Sequence, residues 1–212
     1  MDDAGNLEAA QKVDALIISP NEAAPLTSVV KKAFDAGIPV VVLDRAVLGE
    51  AYTMFIGADN KFIGAKAGAY VAKWCAEKNY NPCNVLEISG LSGSTPAQER
   101  ASGFREGIKA NPNVKLATSV TSEWQKAKAV PAAAAAFQGN KNFQVVYAHN
   151  DDSTEGGYIA AKNANLDVDV FSSAVSVAGV TQLGTDGAQK PLVENVFACM
   201  PPGRPRYSPS PW

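Results

Sequence analysis

The chain has 212 residues, 46% of them hydrophobic and 19% charged, and a formal net charge of −2. That leaves room for one large domain or two small lobes with separate cores, and it excludes a disordered or fibrous chain. The charge supplies no basic face for nucleic acid, and the longest apolar runs are strand-sized, far below the roughly 18 residues of a membrane span.

The opening Met1-Asp2-Asp3-Ala4-Gly5-Asn6 is acidic and polar, unlike the basic start and apolar core of a secretory signal. Residues 13–19 read as a buried strand closed by a Pro20-Asn21 turn. Leu26, Val29, Val30, Ala33 and Phe34 then draw one apolar stripe on a helix, which Gly37 caps. The next strand, Val40-Val41-Val42-Leu43, has no polar alternation, which predicts a parallel strand buried on both faces and ending at Asp44 and Arg45. Strand, helix and strand in this order make a parallel crossover unit. Met54 to Gly57 is a short strand, and Ile63, Ala67, Tyr70, Val71 and Trp74 form the stripe of a helix capped by Asp59 or Asn60.

Asn84 to Gly90 is the next strand. After a tight loop, Thr95 looks like an N-cap with Pro96 at the first helical position and Gln98 completing a capping box. Val114 to Val120 reads as a strand, followed by a helix from about Glu123 to Phe137, kinked or broken near Pro131. Phe143 to Ala148 is a strand that ends at His149-Asn150-Asp151-Asp152, with a helix to about Asn165 after it. A further strand is expected at 175–180 and a short helix at 187–195. Residues 201–212 hold five prolines and no periodicity, which predicts a disordered or extended tail.

Several chemistries can be tested against these positions. Gly90-Leu91-Ser92-Gly93-Ser94 lacks the third glycine of a dinucleotide fingerprint, the Gly-Lys pair of a P-loop and the final glycine of a nucleophile elbow. His149 is the only histidine, so a cluster of histidine metal ligands is excluded, and an α/β hydrolase would have to pair it with Ser92 or Ser94. Cys75, Cys83 and Cys199 show no C-x-x-C spacing; Cys75 and Cys83 fit either a disulfide or two buried thiols. No catalytic residue, metal site or cofactor is expected. The residues collected at strand ends and following helix starts are Asp44, Arg45, Arg100, Trp124 and Asn150. Forked donors, a carboxylate, an amide and an aromatic face are what sugar recognition needs.

Val40 to Ala46, Ile56 to Asn60, Gln98 to Phe104 and Tyr147 to Asp152 together resemble the periplasmic sugar-binding proteins of the ribose and galactofuranose type. The resemblance runs from about Val13 to Gly179. It implies an α/β fold of two Rossmann-like lobes with parallel sheets flanked by helices, closing on a monosaccharide and delivering it to the permease of an ABC importer in the periplasm. By motif Asp44 and Arg45 would come from the first lobe, and Arg100, Trp124 and Asn150 from the second, with a hinge crossing near Ile56 to Asn60. The expected domains are a partial first lobe at 1–57, a second lobe at 58–198 and a tail at 199–212. The first lobe reads as incomplete, because the family has a strand, helix and strand ahead of Val13, and the chain is expected to be a fragment. Gly179-Val180-Thr181-Gln182 departs from the family's aspartate after that strand. No nucleic acid partner and no insertion into a membrane are expected. The alternative is the sugar-sensing domain of a LacI-type transcriptional regulator, which shares the fold.

Overall fold

The computed structural model describes residues 13–173, which divide into two units. The described residues of the first are 13–59 with 93–96; those of the second are 60–92 and 97–173.

The first unit contains β1 (Leu16–Ile18), α1 (Ala23–Asp35), β2 (Val40–Leu43) and β3 (Met54–Ile56). Its strands are all parallel in the order β1-β2-β3, with Ile17 opposite Val41 and Val41 opposite Met54. Val30 and Ala33 of α1 pack with Leu16, Val40, Val42 and Val47. Gly37, at φ +80°, turns the chain from α1 toward β2, a conformation that glycine adopts without a Cβ penalty. The strand expected to be buried on both faces is buried on one. Val40 and Val42 are inaccessible, but Val41 and Leu43 are partly exposed and Ile17 beside them is 67% exposed. The helix described in this unit, α1, covers the Val40 and Val42 face alone.

The second unit runs α2 (Asn60–Glu77), β4 (Cys83–Ser89), α3 (Thr95–Gly107), a 3-10 turn (Ile108–Ala110), β5 (Val114–Thr121), α4 (Lys126–Gly139), β6 (Val145–Ala148), α5 (Asp151–Asn163) and β7 (Asp169–Ser172). Its sheet is parallel in the order β5-β4-β6-β7. One face packs Val71, Cys75 and Phe104 against Val85, Val145 and Tyr147. The other packs Ala129, Ala133, Phe137 and Ala160 against Leu86, Ile88 and Val146. With helices on both faces β6 is buried throughout, and an alternating pattern survives only on the edge strand β5. Cys75 and Cys83 form a disulfide that ties the end of α2 to the start of β4.

Helices α2 and α3 meet at backbone distance. A Cβ on Gly64 would overlap the Arg100 carbonyl, one on Gly68 the Phe104 carbonyl, and one on Gly103 the Lys61 carbonyl. Two departures from expectation matter for the site. The helix before the sixth strand begins at Lys126, because Glu123 and Trp124 take left-handed φ values of +51° and +68°, and it then continues through Pro131. The last described strand is at Asp169–Ser172, where only Val170 and Phe171 supply an apolar signal. The elements expected at 175–180 and 187–195, the Gly179 to Gln182 segment and the tail at 201–212 lie outside the described residues.

Candidate functional site

Parallel sheets hold ligands at strand carboxyl ends, above all where the chain connections reverse direction. In the second unit that point is the end of β4, which has β5 on one side and β6 on the other. The segments leaving these three strands carry Arg100 on α3, Trp124 just after β5, and His149 with Asn150 just after β6.

Arg100 is 9% exposed. Its Nε donates to Asn60 Oδ1 at 2.9 Å, and its Nη1 donates to the His149 backbone carbonyl. Both acceptors are neutral. The guanidinium carbon lies 5.6 Å from the centroid of the Trp124 ring, within cation–π range. Trp124 reaches that place through the left-handed turn at Glu123 and Trp124, a conformation that costs an L-residue about 1–2 kcal/mol at each position. It also lies over Gly90, where a Cβ would overlap the indole.

Asn150 caps α5. Its Oδ1 accepts from the Ser153 N–H at 3.3 Å and from the Ser153 hydroxyl, and its Nδ2 donates to the Trp124 carbonyl at 3.3 Å. These partners fix which end of the amide is oxygen. Ser122, just after β5, supports the same corner, with its Oγ 2.6 Å from Ser153 Oγ.

Beneath these groups lies a buried pair, Glu87 on β4 and His149, both inaccessible to solvent. His149 Nδ1 accepts from the Gly90 N–H at 3.3 Å, so the ring proton is on Nε2, 3.2 Å from Glu87 Oε1. Glu87 Oε2 accepts from Arg105 Nη2 at 3.0 Å and from the Ser119 hydroxyl. Burial pushes the Glu87 carboxyl up, but the hydrogen bond and electrostatic attraction of His149, the Ser119 hydrogen bond and the Arg105 charge together hold the group below the ordinary carboxylate range. Burial holds the His149 imidazole below its usual range, against the opposing pull of Glu87. The pair is therefore an ionised carboxylate beside a neutral imidazole. With both ring nitrogens engaged and no solvent access, His149 has no free nitrogen to serve a hydrolase serine.

In the first unit Asp44 follows β2 at φ +62°, and its side chain is 72% exposed. Arg45 Nη1 donates to Asn21 Oδ1 at 2.7 Å and to the Asn21 carbonyl at 3.2 Å, and its Nε lies 3.7 Å from Asp44 Oδ2. The structure thus brings Arg100, Trp124 and Asn150 together, and sets Asp44 beside Arg45. Sequence reasoning missed Asn60, Glu87 and Asn21. A lone acidic residue inside Val85-Leu86-Glu87-Ile88 was the available signal for a buried network; nothing local marked Asn60 as more than a cap.

A family model described as periplasmic binding protein domain matches residues 4–197. The chain belongs to this family. Among periplasmic binding proteins, the galactofuranose-binding protein YtfQ of Escherichia coli (strain K12) is 37% identical over 74% of this chain and 50% of its own length. The solved fructose-binding periplasmic domain of a hybrid two-component system is 38% identical at a TM-score of 0.75, covering 81% of this chain and 56% of that one. A Mycobacterium smegmatis structure in complex with β-D-fucofuranose is 31% identical at a TM-score of 0.80, covering 86% and 62%. The chain spans about half the length of the curated relatives it matches. No helix among the described residues is long and apolar enough to cross a membrane.

Proposed function

We propose that this chain is the monosaccharide-binding module of a solute receptor for an ABC sugar importer, working by binding rather than catalysis, with a permease as its partner and the periplasm as its compartment. The observation that carries the reading is Arg100. It is buried on two neutral acceptors under the face of Trp124 and beside an oriented Asn150, where a strand-end ligand belongs. In this reading Arg100 donates to ring or hydroxyl oxygens, Trp124 covers the C–H face, Asn150 bonds a hydroxyl, and Asp44 and Arg45 bring an acceptor and a donor from the first unit. The lobe limits 1–57 and 58–198, with the tail at 199–212, belong to the same reading. The names of the relatives, which include galactofuranose-, ribose- and allose-binding proteins, support a pentose or hexose, galactofuranose among them.

A second reading is favoured by the likeness to the fructose-binding domain of a hybrid two-component system: the same sugar chemistry used to signal rather than to transport. A regulator of the LacI type uses it to signal as well. Both readings need a monosaccharide, so titration calorimetry of the 212-residue chain against D-ribose, D-fructose, L-arabinose, D-galactose and a galactofuranoside tests them together. Micromolar binding that disappears in Arg100→Ala is the expected result. A folded protein that gives no heat with any of these sugars refutes the reading.

A further inference from the structure

We propose that Glu87 is a positioning residue for the second unit's recognition site: a buried anion that acts through His149 to hold Arg100 in its binding geometry. For its effect on affinity the proposal rests on the sugar-binding reading above; its geometry does not.

A carboxylate at the centre of an apolar strand costs several kcal/mol unless its charge is met. Glu87 meets it on both oxygens, with His149 on Oε1 and with Arg105 and Ser119 on Oε2. The consequence for the site runs through the imidazole. Its Nδ1 is held by the Gly90 N–H and its Nε2 by Glu87, so the ring cannot turn without leaving two buried groups unpaired. That pins the chain at His149, whose carbonyl accepts from Arg100 Nη1. Gly90, the other group on the imidazole, is the floor under the Trp124 indole, and the indole faces Arg100. The links therefore close into a ring: Glu87, His149, Gly90, Trp124, Arg100 and His149 again.

Charge follows the same path. Arg100 is a buried cation that donates to an amide oxygen and to the His149 carbonyl, and the buried anion Glu87 is bonded to the ring of that same histidine. Arg105, on the outer side of Glu87, is half exposed and gives up less when it is lost. Glu87→Gln removes the anion and keeps the shape and the bond from His149 Nε2, while its NH2 stands where Oε2 accepted from Arg105 and Ser119, so those contacts change along with the charge.

The test uses the full chain in its sugar-free form and the Nε–H signal of Arg100 in a 1H–15N spectrum, assigned by its loss in Arg100→Lys. In the native protein this N–H is bonded to Asn60 in a nearly buried place, so slow exchange with water is expected. Glu87→Gln should shift the signal and speed its exchange, and should weaken binding of whichever panel sugar the native chain takes by about tenfold. Ser119→Ala, which removes one hydrogen bond to Glu87 from the edge strand, should act in the same direction to a smaller extent, and it carries the test if Glu87→Gln does not fold. An Arg100 signal unchanged in both variants overturns the proposal, whatever happens to affinity. A signal that moves in a protein binding none of the sugars leaves the positioning role standing and removes the sugar-binding reading instead.

Discussion

The two units present their candidate groups in opposite ways. In the second, Arg100 is 9% exposed and is bonded to Asn60 and His149 beside a capped, oriented Asn150. In the first, Asp44 is 72% exposed, and Arg45 leans on Asn21, another surface residue, in a sheet with a helix described on one face only. One set is built into a core with helices on both sides. The other stands on a strand end with little behind it. Affinity and fold stability should therefore be coupled in the second unit and nearly independent in the first.

The largest effect expected is on binding. Arg100→Met should weaken sugar binding about a hundredfold or more, since hydrogen bonds to a charged group are worth about 1.5–3 kcal/mol each. Arg45→Met should cost about fivefold or less, because ionic contacts at the surface are worth about 1 kcal/mol or less. Equal losses in the two variants, measured by calorimetry, would break the comparison. Next comes the Cys75–Cys83 bridge, with a sequence separation of 8. Replacing both cysteines with alanine should lower stability by about 2–3 kcal/mol in urea melts, the chain-entropy value for so short a loop. Gly64→Ala should cost about 1–3 kcal/mol by overpacking α2 against α3, and because the clash is with the Arg100 carbonyl it should weaken sugar binding as well. A melt shifted without any change in affinity would show that the two are not coupled there.

Acid gives a finer distinction. His149 is held below its usual range, so the unfolded chain binds the proton first, and stability present above about pH 6.5 falls as pH drops below it, with a limiting slope of about 1.4 kcal/mol per pH unit. Glu87, also held low, adds a loss that begins below about pH 4.3. The charged and titratable groups facing this pair are Arg100 and Arg105 from α3 and Tyr147 from β6, the tyrosine itself pushed far up by burial. Chemical melts of the native chain and His149→Gln at pH 7.5 and pH 5.5 should show the slope in the first and not in the second. The smallest effect is expected at Asp44. Replacing it with glycine relieves a left-handed φ, so stability should stay level or rise by up to about 1 kcal/mol while affinity falls. A stability loss there would mean that the first unit's site is built in as deeply as the second's.

Much of this arrangement was legible in the chain itself, and what was not has particular causes. The end of β2 before Asp44 and the start of α3 near Thr95 follow from local chemistry, but the expected capping box does not form: Thr95 Oγ1 accepts from the Ala46 N–H and Gln98 Nε2 donates to the Ser92 carbonyl. The late start of α4 does not follow from local chemistry, because the left-handed turn at Glu123 and Trp124 uses residues with no preference for it, and only packing of the indole over Gly90 explains the choice. β7 was not anticipated because only Val170 and Phe171 of its four residues supply an apolar signal. Asn60 reads as a helix cap from its neighbours, and its bond to Arg100, forty residues on, is a property of how α2 and α3 meet. Glu87 was visible as an anomaly in its strand, but not as part of a circuit with His149.

The glycine contact of α2 with α3 also decides what can be moved. Arg100 is aimed by a neighbouring helix that touches its own backbone, so an attempt to graft this recognition onto another protein by copying the loops after β4, β5 and β6 would leave the arginine without its aim. The smallest portable unit is the helix pair with Gly64, Gly68 and Gly103 intact. By the same reasoning, a library meant to retarget the site should vary the strand-end residues and leave those three positions alone.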